Sequence, residues 1–224
     1  MEMGMIKLRK TLLQIKHYPS PQELYEELMK SSGWLYKTNQ TFYLTRDRAL
    51  VALLYLGDFR IEEVLPLTTE NLEDMKSYYW VKDVLVGKKK HVEYREAKLP
   101  LIGERKVFTR LVQDYLALLK DGERLFPWSL KVKTFQLPAK FDYRKKDGTL
   151  MHRYSVKMVG TARAWQIVNA LLPEYTQHWL RAFGYNYDYD AMDHDIMAVS
   201  DKTRADPRSL QPYLRRRYEK YPVR

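Results

Sequence analysis

Three short stretches of this chain carry residues able to act on a phosphodiester. Gly57-Asp58-Phe59-Arg60-Ile61-Glu62-Glu63-Val64-Leu65 follows an apolar segment. His178-Trp179-Leu180-Arg181 lies far downstream. Tyr213, within Ser209-Leu210-Gln211-Pro212-Tyr213-Leu214, comes 32 residues after Arg181. Metal-free attack on a DNA phosphate calls for such a set. Two guanidinium forks, Arg60 and Arg181, can hold the non-bridging oxygens bidentately and stay charged at any working pH. A phenol of ordinary pKa near about 10 must lose its proton as it attacks, which makes Tyr213 the candidate nucleophile. The leaving 5′ oxygen needs a proton, which a lysine or histidine can give. His178, at i and i+3 with Arg181 on one helical face, is a candidate proton-transfer group or phosphate ligand. The product would be a 3′-phosphotyrosyl bond and a free 5′-hydroxyl. Because the bond energy is kept, rejoining would need no ATP.

The elements that must position these residues can be read from apolar spacing and breakers. Pro19 and Pro21 open a short helix over Gln22 to Lys30. Thr45 is placed to cap a helix from Arg46 to Leu56, whose Ala49, Leu50, Leu53 and Leu54 recur at helical spacing. Gly57 ends it, and a second short helix carries Ile61, Val64 and Leu65. Residues 77 to 100 read as strands with a turn at Gly87-Lys88-Lys89-Lys90, and Lys88 and Lys90 share a face because strand side chains alternate. Lys106 to Lys120 is expected to be helical. Phe141 to Ser155 reads as a hairpin turning at Asp147-Gly148. Val156 to Leu172 follows as a helix stopped by Pro173. Another begins near Tyr175 or Thr176, and the last helices are expected around Ala191 to Val199 and Ser209 to Lys220. Tyr185, Tyr187 and Tyr189 read as a loop or surface aromatic cluster. Pro212 is poorly suited to a helix interior and predicts a helix start or kink at Tyr213. The fold class expected is mainly α with a small antiparallel sheet, α+β.

Composition narrows the partners. Lys plus Arg number 39 against 28 acidic residues, a formal charge of +11. A field of that sign favours polyanions, DNA foremost. Hydrophobic residues at 45% argue against disorder. There is no cysteine, which excludes disulfides, thiolate metal sites and cysteine nucleophiles. His194-Asp195 stands without a second ligand cluster, so no metal and no cofactor are expected. The apolar run Ala49 to Leu56 is far too short to span a bilayer. A cytoplasmic, nucleoid-associated protein is expected.

Taken together, order and spacing of these motifs resemble the tyrosine recombinases, the phage integrase family. The resemblance covers about residues 44 to 218 and implies that family's catalytic-domain fold, with 1–43 as an N-terminal extension or linker helix and 44–224 as the catalytic domain. It implies further roles. Glu63, three after Arg60, matches the supporting acidic residue. Gly87 to Lys90 with Leu99-Pro100-Leu101 resembles the strand pair bearing a catalytic lysine, either Lys88 or Lys90. Leu125-Phe126-Pro127 resembles the segment after the family's middle helix, and His178 to Arg181 matches His-x-x-Arg. Arg204 stands nine residues before Tyr213, where the family usually has His or Trp after a glycine that is missing here. Ala182 replaces the common histidine after the second arginine. Only some 40 residues precede the catalytic segment, so the family's DNA-clamping N-terminal domain is expected to be absent or cut away. That pattern is closest to divergent archaeal or viral integrases.

The expected function is site-specific cleavage and rejoining of double-stranded DNA, by a homotetramer assembled on DNA and a monomer or weak oligomer otherwise. Lys89, Arg163 and Lys202 are candidate DNA contacts. Two other readings stand beside it: a non-catalytic DNA-binding protein on the same fold, and a topoisomerase IB-like nicking-closing enzyme.

Overall fold

The computed structural model describes residues 18–30, 40–86, 93–127, 134–136, 143–144, 150–151, 154–156 and 158–220. The expected turn with Lys88, Lys89 and Lys90, and the Asp147-Gly148 turn, lie outside the described residues.

The fold is mostly helical, with one small sheet. Helix α1 (Pro21–Lys30) precedes α2 (Gln40–Leu56) and the single turn α3 (Ile61–Val64). A 3-10 turn at Thr69–Asn71 leads into the antiparallel sheet of β1 (Leu72–Asp74), β2 (Tyr78–Leu85) and β3 (Tyr94–Pro100), in that order. Then come α4 (Lys106–Leu116), two short pairs made by β4 (Thr134–Gln136) with β7 (Tyr154–Val156) and β5 (Tyr143–Arg144) with β6 (Leu150–Met151), and four helices. These are α5 (Thr161–Leu171), α6 (Gln177–Ala191), α7 (Ile196–Thr203) and α8 (Pro207–Lys220).

Helix α2 is the axis of the core. Ala49 through Leu56 are buried on every side, as the unbroken apolar run demands, with α4 and α6 packed against it. It begins at Gln40 rather than Arg46. Thr45 is therefore not a cap but an interior residue, whose hydroxyl donates to the Thr41 carbonyl at 2.9 Å, a bond open to threonine inside a helix. The division expected at 43/44 falls inside this helix. Leu24 and Leu28 of α1 are buried in the same core, and the Tyr25 ring meets Phe108 edge-on at 5.8 Å.

Strand β2 runs unbroken from Tyr78 to Leu85. The extra residue appears as a register shift between Val81 and Val84, with Asp83 at φ 56. In β3 alternate residues are buried, which turns Arg95, Ala97 and Leu99 inward. The Leu125-Phe126-Pro127 segment is threaded through the core. The Leu125 amide donates to Leu67 O at 2.9 Å, Val159 N donates to Phe126 O at 2.9 Å, and the buried Arg46 guanidinium donates to Pro127 O at 2.7 Å.

Several boundaries shift for local reasons. Helix α4 stops at Leu116 and continues as turns to Lys120. Residues 154–156 pair as a strand, so α5 starts only at Thr161, after Gly160. Tyr185, Tyr187 and Tyr189 lie within α6, Tyr185 and Tyr189 buried, not in a surface loop. Asp195 caps α7, accepting from the Met197 and Ala198 amides. Pro212 sits inside α8, so Tyr213 does not start a helix. The missing N–H removes one ladder bond, and tertiary packing of Leu210, Tyr213 and Leu214 carries the helix through.

Helix α6 approaches the end of α2 very closely at Gly184. A Cβ there would lie 1.8 Å from Asp58 Oδ1 and 2.9 Å from the Tyr55 carbonyl oxygen. Gly184→Ala must therefore push two elements apart and is expected to destabilise the protein by about 3 kcal/mol. Gly160→Ala, with nothing within 4 Å of the added carbon, should cost less than about 1 kcal/mol. Urea denaturation of both variants checks this, and equal costs would contradict the close approach.

Candidate active site

The site begins where α2 ends. Gly57 closes the helix, Asp58 takes the left-handed conformation at φ 52, and Arg60 becomes the N-cap of α3. The one-turn helix presents Glu63 back to its own start. The Glu63 carboxylate accepts from the Arg60 backbone N–H at 2.9 Å and from Arg60 Nη1 at 2.9 Å. On its other side it accepts from Arg95 Nη2 at 2.8 Å. Burial opposes the charge of Glu63, but Arg95 and the bonds from Arg60 outweigh it and hold the carboxyl below its usual range. Arg60 is thereby oriented by an acid that is itself neutralised from behind, and its side chain remains 32% exposed.

Arg181 is brought to the same place by α6. Its Nε donates to the Asp58 carbonyl at 3.1 Å, and Arg95 Nη2 donates to that same oxygen at 3.1 Å. Its Nη2 donates to the Tyr185 hydroxyl, one turn further along α6, with the guanidinium carbon 5.1 Å from that ring's centre. Burial pushes the Tyr185 phenol up to about 12, against the pull of Arg181, so it remains a neutral partner. Tyr213 completes the group. Its ring meets Tyr185 edge-on at 5.2 Å, and Asn186 Nδ2 donates to its carbonyl at 3.0 Å, fastening α8 to α6. Tyr213 is only 6% exposed. Burial raises its pKa, while the charges of Arg181 and Arg60 pull it down, so the phenol lies within the field of both arginines.

Four predicted residues thus come together: Arg60, Glu63, Arg181 and Tyr213. His178 is exposed, one turn before Arg181 on α6. Arg204 is exposed at the end of α7, left-handed at φ 52. It lines an open cleft of about 580 Å³ together with Arg95, Lys98, Trp80 and Lys202. Lys202, a candidate DNA contact, donates to the buried Asp188 carboxylate. Arg163 is half-buried on α5 and donates to Gln166 at 3.1 Å.

Sequence reasoning missed Arg95, Asp58, Asp188, Arg105 and Tyr185. The inward alternation of β3 was the signal for Arg95, and the i, i+4 spacing from Arg181 the signal for Tyr185. Asp58 and Asp188 form a buried pair of carboxyls. Asp188 accepts from Arg105 Nη1 at 3.0 Å and from Lys202, and Arg105 Nη2 also donates to Tyr55 O at 2.7 Å. Burial works against the Asp188 charge, but Lys202 and Arg105 outweigh it and hold this carboxyl low. Burial, then the neighbouring Asp188 charge, raises Asp58 well above the usual range. Two facing carboxyls can share a hydrogen bond only if one keeps its proton. Burial beside the Asp188 charge favours the protonated form of Asp58, and among the described residues neither Asp58 carboxyl oxygen has a geometric hydrogen-bond partner.

No protein-family model matches the chain, and no curated protein matches it. Solved structures do. The XerH site-specific recombinase bound to palindromic difH substrate, a post-cleavage complex, matches with a TM-score of 0.52 at 17% identity, over 91% of this chain and 51% of that one. The pre-cleavage complex of XerH with difH matches with a TM-score of 0.50 at 16% identity, over 88% and 49%. The Tn1549 transposon integrase in complex with transposon right end DNA matches with a TM-score of 0.50 at 14% identity, over 94% and 67%. The chain spans about half the length of the XerH chains it matches. The likeness shows the fold, which is that of tyrosine recombinase catalytic domains.

The protonated state of Asp58 has a pH signature. Its folded pKa is raised, so the stability it contributes is full below the ordinary carboxylate value of about 4 and is lost as pH rises through the folded value. Asp58→Asn keeps a donor toward Asp188, suits the left-handed backbone and has no proton to lose. The variant's melting temperature should match the wild type near pH 4 and exceed it by about 3 °C or more at pH 8. A gap independent of pH, read by calorimetry, would show Asp58 to be ionised.

Proposed function

We propose that this protein cleaves and rejoins DNA strands at specific sites through a 3′-phosphotyrosyl intermediate, without metal or ATP. The observation that carries the proposal is convergence. Arg60, Arg181 and Tyr213, distant along the chain, are linked by one set of contacts: Arg60 to Arg181 through Glu63, Arg95 and the Asp58 carbonyl, and Arg181 to Tyr213 through the Tyr185 ring. Among the described residues, Arg60 Nη2 and Arg181 Nη1 have no acceptor, which leaves a terminal nitrogen on each arginine for the non-bridging oxygens of one phosphate. DNA-bound neighbours of the same fold and the +11 charge support the substrate class.

In the proposed step the Tyr213 oxygen forms a bond to phosphorus and the bond from phosphorus to the 5′ oxygen breaks. The phenolic proton passes to water as the new bond forms. The 5′ oxygen is protonated by His178 or by Lys88 or Lys90. Charge that builds on the phosphate in the transition state is met by Arg60 and Arg181, held in place before the reaction begins. Glu63 serves as the support that aims Arg60. Arg204 serves as a further donor to the phosphate, and Lys89, Arg163 and Lys202 serve as DNA contacts. Recombination is assigned to a tetramer that holds two duplexes.

A suicide substrate nicked near the scissile phosphate, run in EDTA without ATP, tests this. Wild type should form a covalent adduct. Tyr213→Phe, which keeps the ring, should form none, and Arg60→Ala or Arg181→Ala should slow the adduct on the order of a hundredfold or more. An adduct that survives Tyr213→Phe and vanishes in Tyr218→Phe would move the nucleophile by five residues. No adduct with any variant or with wild type would leave a non-catalytic DNA-binding protein. Relaxation of supercoils without exchange between two sites would favour a topoisomerase.

Affinity for random duplex should be strongly salt-dependent, because phosphate contacts release counterions. Anisotropy is expected to show a loss on the order of a hundredfold or more between about 50 and 200 mM salt. A flat salt profile would remove the electrostatic basis of the DNA assignment.

A further inference from the structure

We propose that Asp58 is the positioning residue for Arg181: its side chain is wedged between Gly184 and Asp188 so that its backbone carbonyl is fixed as the shared acceptor for Arg181 and Arg95. The proposal rests on the cleavage reading above for its consequence, though not for its geometry.

One residue grips α6 at two levels. Its carbonyl takes Arg181 Nε at 3.1 Å. Its carboxyl oxygen Oδ1 occupies the space that a Cβ on Gly184, three residues further along α6, would fill at 1.8 Å. The Asp188 carboxyl, whose charge raises Asp58, lies one more turn along the same face. The left-handed backbone at φ 52 makes this possible, because it turns carbonyl and side chain toward α6 together. Asp188 is anchored independently by Arg105, from the start of α4, and by Lys202, from α7. The wedge therefore has a rigid seat.

The same carbonyl binds Arg95, which reaches Glu63 and through it Arg60. Displacement of the Asp58 carbonyl would move both phosphate-binding arginines relative to Tyr213. Asp58 touches neither phosphate nor phenol, so its role is to hold other groups in place.

Two substitutions separate the wedge from the backbone. Asp58→Gly permits the left-handed conformation and deletes the wedge. Asp58→Asn keeps both. The readouts are single-turnover adduct formation on the nicked duplex, the duplex Kd, and hydrogen exchange at the Arg181 Nε–H followed by ¹⁵N NMR, which needs no cleavage. Asp58→Gly is expected to bind duplex as wild type does, to lose protection at Arg181 Nε–H, and to form adduct slower on the order of a hundredfold, since a misplacement of about 1 Å costs that much. Asp58→Asn should restore both protection and rate. Equal protection and rate in Asp58→Gly and wild type would overturn the proposal. If Asp58→Gly does not fold, Asp58→Asn decides it: loss of Arg181 protection in that folded variant overturns the proposal, and retention supports it. A wild type that protects Arg181 yet forms no adduct would sink the cleavage reading and leave this geometry standing.

Discussion

Helix α6 can reach the end of α2 only because residue 184 lacks a Cβ, and the rest of the site depends on that contact. The approach puts Asp58 beneath α6, with Oδ1 where a side chain would otherwise stand. Arg181 then falls within reach of the Asp58 carbonyl, Tyr185 follows Arg181, and Tyr213 follows Tyr185. Each contact in this series is set by the one before it. A core of close-packed side chains transmits such a constraint because it has little room to relax.

The buried charges are arranged by neighbourhood. Around Glu63 stand two arginines, and around Asp188 stand an arginine, a lysine and a second carboxyl. Buried ion pairs of this kind add little net stability, because desolvation of each ion offsets their attraction. Their effect here is geometric. Glu63 is pulled from both sides and cannot rotate freely, so Arg60 is held with one fork turned outward. The surplus of cations over anions near Arg60 and Arg181 would be balanced by an arriving phosphate. A site with that surplus needs no reorganisation when charge develops on its ligand.

Tyr213 illustrates the tension between storage and use. Its ring is packed against Tyr185, its backbone is tied to Asn186, and burial keeps the phenol protonated at neutral pH. Both arginine charges pull in the opposite direction. The phenol is thus sheltered and protonated, with burial outweighing the two cationic charges; in the proposed cleavage its proton would be lost only as the electrophile approaches.

What the amino-acid order decided by itself was local. Arg60 at a helix start with Glu63 one turn on, the apolar α2 run, the breaks at Gly57 and Pro173, and the spacing of Arg181 from Tyr213 all depend on neighbours within a few residues or on simple chain counting. These were legible, and with them the mainly helical fold with its small antiparallel sheet. Tertiary structure decided the partners. Arg95 on Glu63, Asp58 under Gly184 and Lys202 on Asp188 join residues 32, 126 and 14 positions apart, and nothing local marks them. The same holds where local preference lost. Pro212 lies within a helix, Thr45 is interior rather than a cap, and three tyrosines expected at the surface lie in a helix with two of them buried. In each case burial against another element outweighed a propensity worth about 1 kcal/mol or a few, and burial is a property of the packed molecule, not of its segments.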